Sequence, residues 1–341
     1  MTELAPYLKD ASQFRGKAER LLLPSSEQEI AQILREARRA GTPVTVAGAG
    51  TGLTGGRVPQ GGLVLSTEKL NHILEIQGGW ARVQPAVSLK QLEEAAFSQG
   101  LFYPPDPGEK AASLGGTIAT NASGPRSLKY GATRLYVERL RIVLPDGVLL
   151  EISRGQVTEK SGILSIPLPG GKTLKVPVPS YRQPNTKNSA GYFAEEGMDA
   201  VDLFVGAEGT LGIVTEATLR LLKIPAAILS GLLFFNSERD CFAFAGESKR
   251  QLRPRTLEFI DSRSLRMLSE KHSDIPNHAG AALLFEEECG ARVIRNIGMF
   301  LRKHSKGPGV NELQGPRPQL PFGLSGEREA VPLGIEEEKA A

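Results

Sequence analysis

Cysteine is scarce in this 341-residue chain: only Cys241 and Cys289 occur. Two thiols argue against a disulfide framework, and they are too few to hold an iron–sulfur cluster by themselves. Long apolar runs are missing as well. No stretch of 18 apolar residues exists, so no transmembrane segment is expected. The start, Met1-Thr2-Glu3-Leu4-Ala5-Pro6, lacks the basic-then-apolar order of a signal peptide, and a cytoplasmic location is expected. No charge of one sign dominates. The 41 Lys and Arg and 38 Asp and Glu leave a net charge of +3, too little to suggest nucleic acid as a partner. The length is enough for two domains, each with its own core.

Glycine, by contrast, is concentrated in one place. Gly48-Ala49-Gly50-Thr51-Gly52-Leu53-Thr54-Gly55-Gly56 holds five glycines in nine residues, where average usage of about 7% predicts fewer than one. The loop leaves an apolar extended run, Pro43 to Ala47. Backbone N–H groups in such a turn can approach a phosphate, because no Cβ blocks the way. Gly50, Gly52 and Gly55 satisfy a dinucleotide fingerprint spacing, but that fingerprint needs a helix to begin at the loop. Arg57-Val58-Pro59-Gln60-Gly61-Gly62 follows instead, and Pro59 with two glycines does not propagate a helix. No Gly-Lys-Ser/Thr follows either, which removes a P-loop. The loop reads as a diphosphate cradle of amides and the Thr51 and Thr54 hydroxyls; a purely structural turn is the alternative.

Local patterns order the rest. Ser26 and Glu29 predict a capping box for a helix over 26–41, with Ile30, Ile33, Leu34 and Ala37 inward and Gly41 at its end. Strands are expected at 43–47, 63–65 and 81–87, and a second helix is capped by Ser88 and Gln91. Residues 136–153 predict a hairpin around Pro145-Asp146-Gly147, and 154–190 read as an insertion or long loop. Two strand-like runs flank Gly206-Ala207-Glu208-Gly209. After Pro225, strand-like and helix-like runs alternate, predicting a second α+β domain with helices on one face of a sheet. From Lys306 the pattern stops. The last 36 residues contain five Pro and six Gly, and disorder is expected there.

Two further small-residue elements accompany the loop. Pro104-Pro105-Asp106-Pro107-Gly108 leads into Ser113-Leu114-Gly115-Gly116-Thr117-Ile118-Ala119-Thr120-Asn121-Ala122-Ser123-Gly124, and then Lys129-Tyr130-Gly131. Such a segment lets the main chain lie flat against a planar ring, although tight backbone packing also selects Gly and Ala. Gly206-Ala207-Glu208-Gly209-Thr210-Leu211-Gly212-Ile213-Val214 is the third. Three such elements spread over one domain predict a large cofactor crossing it.

On these motifs the chain resembles the FAD-linked oxidases of the vanillyl-alcohol oxidase type, the PCMH-type FAD fold. It looks most like the glycolate oxidase large subunit and the D-lactate and D-2-hydroxyglutarate dehydrogenases. The resemblance covers roughly residues 20–305. It implies an α+β architecture: a two-subdomain PCMH-type FAD-binding domain over 1–225, then a partial ferredoxin-like α+β cap over 226–305, with 306–341 outside the family. In that family the loop matching 48–56 wraps the FAD diphosphate. The segment matching 105–124 lies along the flavin, and the turn matching 206–214 contacts the adenine side. The cofactor residues implied are the whole run Gly48 to Gly56; Pro105, Asp106, Pro107; Ser113, Leu114, Gly115, Gly116, Ala119, Asn121, Gly124; Tyr130, Gly131; and Glu208, Gly209, Gly212, Ile213, Val214. The matching loops contain no His or Cys, so non-covalent FAD is expected. Lys187, in Lys187-Asn188-Ser189-Ala190-Gly191-Tyr192, either faces the flavin or substrate anion or is a solvated loop lysine.

The chemistry implied is oxidation of a small 2-hydroxy acid by hydride transfer to flavin N5, in one option within a complex that passes electrons to an iron–sulfur protein. No catalytic residue is assigned. Relatives carry a metal-binding His-x-Gly-Asp-Gly-Asn-x-His segment in the cap, and this sequence holds none. No metal site is therefore expected, and a truncated or frame-shifted cap is the simplest account. The alternative function is a non-catalytic or defective FAD-binding chain.

Overall fold

The computed structural model describes residues 3–181, 184, 190–273, 275–289 and 310–313. Contacts divide the chain into two compact units: 1–124 with 131–223, and 125–130 with 224–341. No described helix is long and apolar enough to cross a membrane.

The first unit opens with β1 (Arg20–Leu22), α1 (Glu27–Ala40), β2 (Val44–Ala47) and β3 (Leu63–Ser66). The strands form a parallel sheet ordered β1-β3-β2. Ser26 caps α1 by accepting from the Glu29 amide, and Gly41 ends it at φ +64°. The expected box closes one residue early: the Glu29 carboxylate takes the Ser25 amide at 2.8 Å, not that of Ser26. Ile30, Ala31 and Leu34 pack on Leu65, Leu70, Val143 and Ile213, so α1 joins the parallel sheet to the next one.

That next sheet is antiparallel, ordered β4-β5-β11-β7-β8. Its strands are β4 (Ile73–Gln77), β5 (Trp80–Val83), β7 (Val137–Val143), β8 (Leu149–Ser153) and β11 (Ile213–Arg220). The 136–153 hairpin is present as β7 and β8. Between β5 and β7 lie α2 (Leu89–Phe97), β6 (Leu101–Phe102) and α3 (Leu114–Ala119). The capping box of α2, Ser88 with Gln91, is complete. β6 pairs with the short β12 (Leu222–Lys223).

Two expectations are corrected here. Residues 154–190 are not a plain loop: β9 (Ile163–Pro167) and β10 (Thr173–Pro177) form an antiparallel hairpin. The run before Gly206 is not a strand but a short helix, α4 (Ala200–Phe204), capped by the Asp199 carboxylate on Val201 N. Asp199 supplies the N-cap acceptor that favours helix over strand.

The second unit centres on an antiparallel sheet ordered β14-β15-β13-β16. Its strands are β13 (Ala227–Phe235), β14 (Thr256–Asp261), β15 (Ala281–Cys289) and β16 (Val310–Leu313). The helices are α5 (Glu238–Gln251) and α6 (Ser262–Ser269). They do not share a face as expected. Cys241 and Phe244 of α5 pack on Leu233, Phe235, Ala281, Leu283 and Phe285, whereas Leu265 of α6 packs on Phe234 and Ala282. Alternate strand residues point to opposite faces, so the sheet lies between the two helices. β16 also differs from the expected unpatterned tail, since it pairs with β13. The expected helix over 291–304 lies outside the described residues.

Candidate cofactor site

Within the first unit, three segments far apart in sequence line one cavity of about 410 Å³. From the glycine loop come Gly48, Ala49, Gly50, Thr51, Gly52, Leu53, Thr54 and Gly56. From the second segment come Pro107, Ser113, Gly115, Gly116, Ala119 and Asn121, and from the third Glu208, Gly209, Gly212, Ile213 and Val214. The cavity is thus lined by the elements that the sequence marks by their small residues.

The glycine loop is held open by its own chemistry. No helix follows it; Gln60 makes a single bridge to Lys17 and β3 begins at Leu63. Gly50 and Gly55 have φ of +79° and +78°, a region that costs a Cβ-bearing residue strain. Ala49 N–H donates to Ser113 Oγ at 3.3 Å. The amides of Gly50 to Gly56 donate to no protein acceptor among the described residues. A run of unspent amides on a concave backbone is an anion-binding surface. Behind the loop, Arg57 directs its guanidinium to the carbonyls of Gly48 (2.8 Å), Pro6 (2.9 Å) and Lys9 (2.8 Å). Burial lowers its pKa, and the neighbouring Asp10 opposes that shift.

The other two segments are stitched together by main-chain bonds. Leu114 N–H and Gly115 N–H donate to Val87 O and Pro85 O, which seats α3 at the end of the β5 connection. Gly206 N–H reaches Ile118 O at 2.9 Å and Glu208 N–H reaches Ala119 O at 2.8 Å. Asn121 (φ +46°) and Glu208 (φ +52°) both sit in the left-handed region beside these contacts. Arg134 braces the corner. Its main-chain N–H donates to Asn121 Oδ1 at 2.9 Å, its Nη2 donates to Val205 O at 2.6 Å, and its Nη1 donates to Asp202 O. Arg154 closes on the Asp202 carboxylate at 3.0 and 3.1 Å. Burial lowers the Arg134 pKa, while Asp202 raises it.

Some implied residues lie off the cavity wall. Pro105 and Leu114 are buried, and Asp106 accepts from Lys110 Nζ at 3.0 Å. Gly55 faces Phe14. Gly124 lies against the Asp106 carbonyl, so closely that a Cβ would collide with it. Gly131 (φ +74°) sits beside Leu135. Tyr130 belongs to the second unit, where its hydroxyl donates to Glu288, which also takes Lys129 Nζ at 2.6 Å. Lys187 lies outside the described residues. Conversely, Asp10, Arg57, Thr67, Pro85 and Phe204 line the cavity without having been singled out. Arg57 directly follows the glycine loop, whereas Asp10, Thr67, Pro85 and Phe204 lie outside the glycine-rich motifs and reach the wall only through the folding of the chain.

The wall fits a flavin dinucleotide. Its diphosphate would meet the unspent loop amides, and the glycine and alanine wall leaves room for flat rings. Residues 18–153 match the model of an FAD binding domain. The chain is 34% identical over 285 residues to a D-lactate dehydrogenase of Archaeoglobus fulgidus, covering 81% of this chain and 56% of that protein. It is 35% identical over 289 residues to the glycolate oxidase subunit GlcD of Bacillus subtilis, covering 83% and 54%. It is 36% identical over 252 residues to a D-2-hydroxyglutarate dehydrogenase of Xanthomonas citri, covering 72% and 45%. The chain thus spans about half the length of the curated relatives it matches. Among solved structures, an alkyldihydroxyacetonephosphate synthase superposes with a TM-score of 0.61 at 17% identity, over 84% of this chain and 53% of that one. Residues 18–153 therefore match an FAD binding domain, and the fold is of the PCMH FAD-binding type. Within that class it resembles the FAD-linked oxidoreductases that include D-lactate dehydrogenase, glycolate oxidase and D-2-hydroxyglutarate dehydrogenase.

Proposed function

We propose that this chain binds FAD without a covalent link and serves the oxidation of a small 2-hydroxy acid such as D-lactate or glycolate. The observation that carries the reading is the meeting of the three small-residue segments in one cavity, with the Gly50–Gly56 amides unspent. Bound FAD would supply the two-electron acceptor. The Gly50–Gly56 amides would hold its diphosphate, the α3 segment would back its ring, and the Glu208–Val214 segment would complete the wall. Among the described residues, neither His nor Cys lines the cavity, which supports dissociable flavin.

The remaining roles extend this reading. The region 226–305 serves as part of a substrate cap, Lys187 as a cation toward the flavin or substrate, and an iron–sulfur protein as the electron acceptor. The relative named glycolate oxidase subunit GlcD supports assembly with other subunits. The second reading is an FAD-binding chain without turnover. Flavin-loaded protein mixed anaerobically with D-lactate, glycolate or D-2-hydroxyglutarate separates the two. Bleaching of the flavin absorbance supports the oxidoreductase. Stoichiometric FAD that none of the three acids bleaches supports the second reading. Acid precipitation should release the flavin into the supernatant; flavin retained in the pellet would overturn the non-covalent assignment.

A further inference from the structure

Asp10 is a buried carboxylate on the cavity wall with half of its hydrogen-bonding capacity unused. It is only 7% exposed and lines the cavity beside the glycine loop. Its Oδ1 accepts from Ser12 N–H at 2.9 Å and from the Ser12 hydroxyl. Its Oδ2 has no partner. The surrounding chain is fixed: Ala11 N–H donates to Gly50 O at 3.1 Å, Gly16 N–H to Leu8 O at 2.7 Å, and Lys17 N–H to Pro59 O at 2.9 Å. The carboxylate is therefore held against the loop rather than trailing in solvent.

The neighbouring cation does not satisfy it. Arg57 attracts Asp10 electrostatically, yet its N–H groups go to the Gly48, Pro6 and Lys9 carbonyls. A buried acceptor without a donor is costly, so the position implies a donor that arrives from outside the chain. The approach passes Gly52: a Cβ there would lie 3.7 Å from Oδ2, so a side chain at this position would stand in a donor's path. The diphosphate itself cannot be the donor, since it carries no proton at neutral pH and would be repelled. The donors flanking a dinucleotide diphosphate are sugar hydroxyls.

We propose that Asp10 Oδ2 accepts a hydrogen bond from a sugar hydroxyl next to the FAD diphosphate, which makes it a cofactor-binding residue contributed by the N-terminal segment. The inference rests on the FAD reading of the cavity.

Asp10→Asn tests it. The amide oxygen stays on Ser12 N–H, so the cavity-facing atom changes from acceptor to donor. Titration of apoprotein with FAD, read by quenching of flavin fluorescence, should show affinity weakened on the order of 10-fold or more. The apoprotein's melting temperature should stay level or rise, because the orphaned charge is gone; a merely structural role would lower it. Affinity within twofold of wild type overturns the proposal. Tightened affinity also overturns it, because the new N–H would then be facing a phosphate. If Asp10→Asn does not fold, Asp10→Ser keeps an acceptor near Ser12 N–H while removing the second oxygen, and the same loss is expected. FAD built with a 2′,3′-dideoxy adenosine sugar identifies the hydroxyl. The Asp10→Asn penalty vanishes with this analogue if the ribose donates and persists if the ribityl chain does. Failure of the wild type to bind FAD would instead refute the reading of the cavity.

Discussion

Ser113 Oγ accepts the Ala49 amide at 3.3 Å, joining two segments 64 residues apart at the floor of the cavity. Ser113→Ala removes the acceptor and leaves that amide unpaired. One neutral hydrogen bond is worth about 0.5–1.5 kcal/mol, so the FAD dissociation constant should rise roughly 2- to 13-fold. Fluorescence titration checks the size. An unchanged constant would show that Ala49 is held by the loop alone.

Close approach to the same serine makes Gly48 intolerant of a side chain. A Cβ on Gly48 would lie 2.7 Å from Ser113 Oγ, inside van der Waals contact. Gly48→Ala should therefore cost about 1–3 kcal/mol by overpacking. In a protein of this size that is a melting-temperature drop of roughly 2–12 °C, with weaker flavin retention. Gly41→Ala makes a contrast. Nothing lies within 4 Å of a Cβ there, so its cost comes only from φ +64°, and flavin binding should be unaffected. Paired thermal scans with and without FAD distinguish the two.

Arg134 is expected to be the most sensitive cation of the first unit. Its Nη1 and Nη2 donate to the Asp202 and Val205 carbonyls, it pairs with Asp202, and it lies 4.1 Å from the Phe193 ring centroid. Arg134→Met would leave the Asp202 and Val205 carbonyls without these donors, at a cost of about 1–3 kcal/mol each, while the Asp202 carboxylate keeps Arg154. Because the same side chain braces the turn before Glu208, flavin content after purification should fall together with stability. Arg134→Lys should not rescue it, since one ammonium cannot bond both carbonyls in the geometry of the planar fork.

The buried thiol of Cys241 sets an alkaline limit for the second unit. Burial, with a smaller contribution from Glu238, pushes its pKa up from 9.0 to about 11. A folded-state pKa above the unfolded value means that the stability contribution is complete below pH 9 and is lost as pH rises toward 11. Denaturant titrations at pH 8 and pH 10 should show wild type losing about 1 kcal/mol more than Cys241→Ala over that interval. Equal losses would show that the thiol does not titrate late.

Much of this was legible where chemistry is local. The Ser88–Gln91 box, the Gly41 stop and the Pro145-Asp146-Gly147 turn are short-range signals, and each stands where its residues put it. The glycine loop was readable because a ligand-shaped backbone selects one residue type in a cluster. Legibility failed where burial is partial. In β9 only Leu164 and Ile166 are inward, and β10 is almost wholly exposed, so the 163–177 hairpin offers little periodicity among its Lys, Gly and Pro. It failed again for Asp10 and Arg57, single charged residues whose meaning depends on Gly50 and Gly52 lying beside them. The opposite faces of α5 and α6 were equally hidden, since alternation in β13 is masked by apolar residues on both sides, Leu233 and Phe235 against Phe234.

The cavity draws its wall from Asp10 near the start of the chain to Val214. The Gly206 and Glu208 amides that close it reach back to Ile118 and Ala119. A ribosome must therefore release nearly the whole first unit before the pocket can form. Flavin uptake then reports completion of folding: a nascent chain stopped at 153 contains every residue matched by the FAD binding domain model, yet lacks a wall of the vessel.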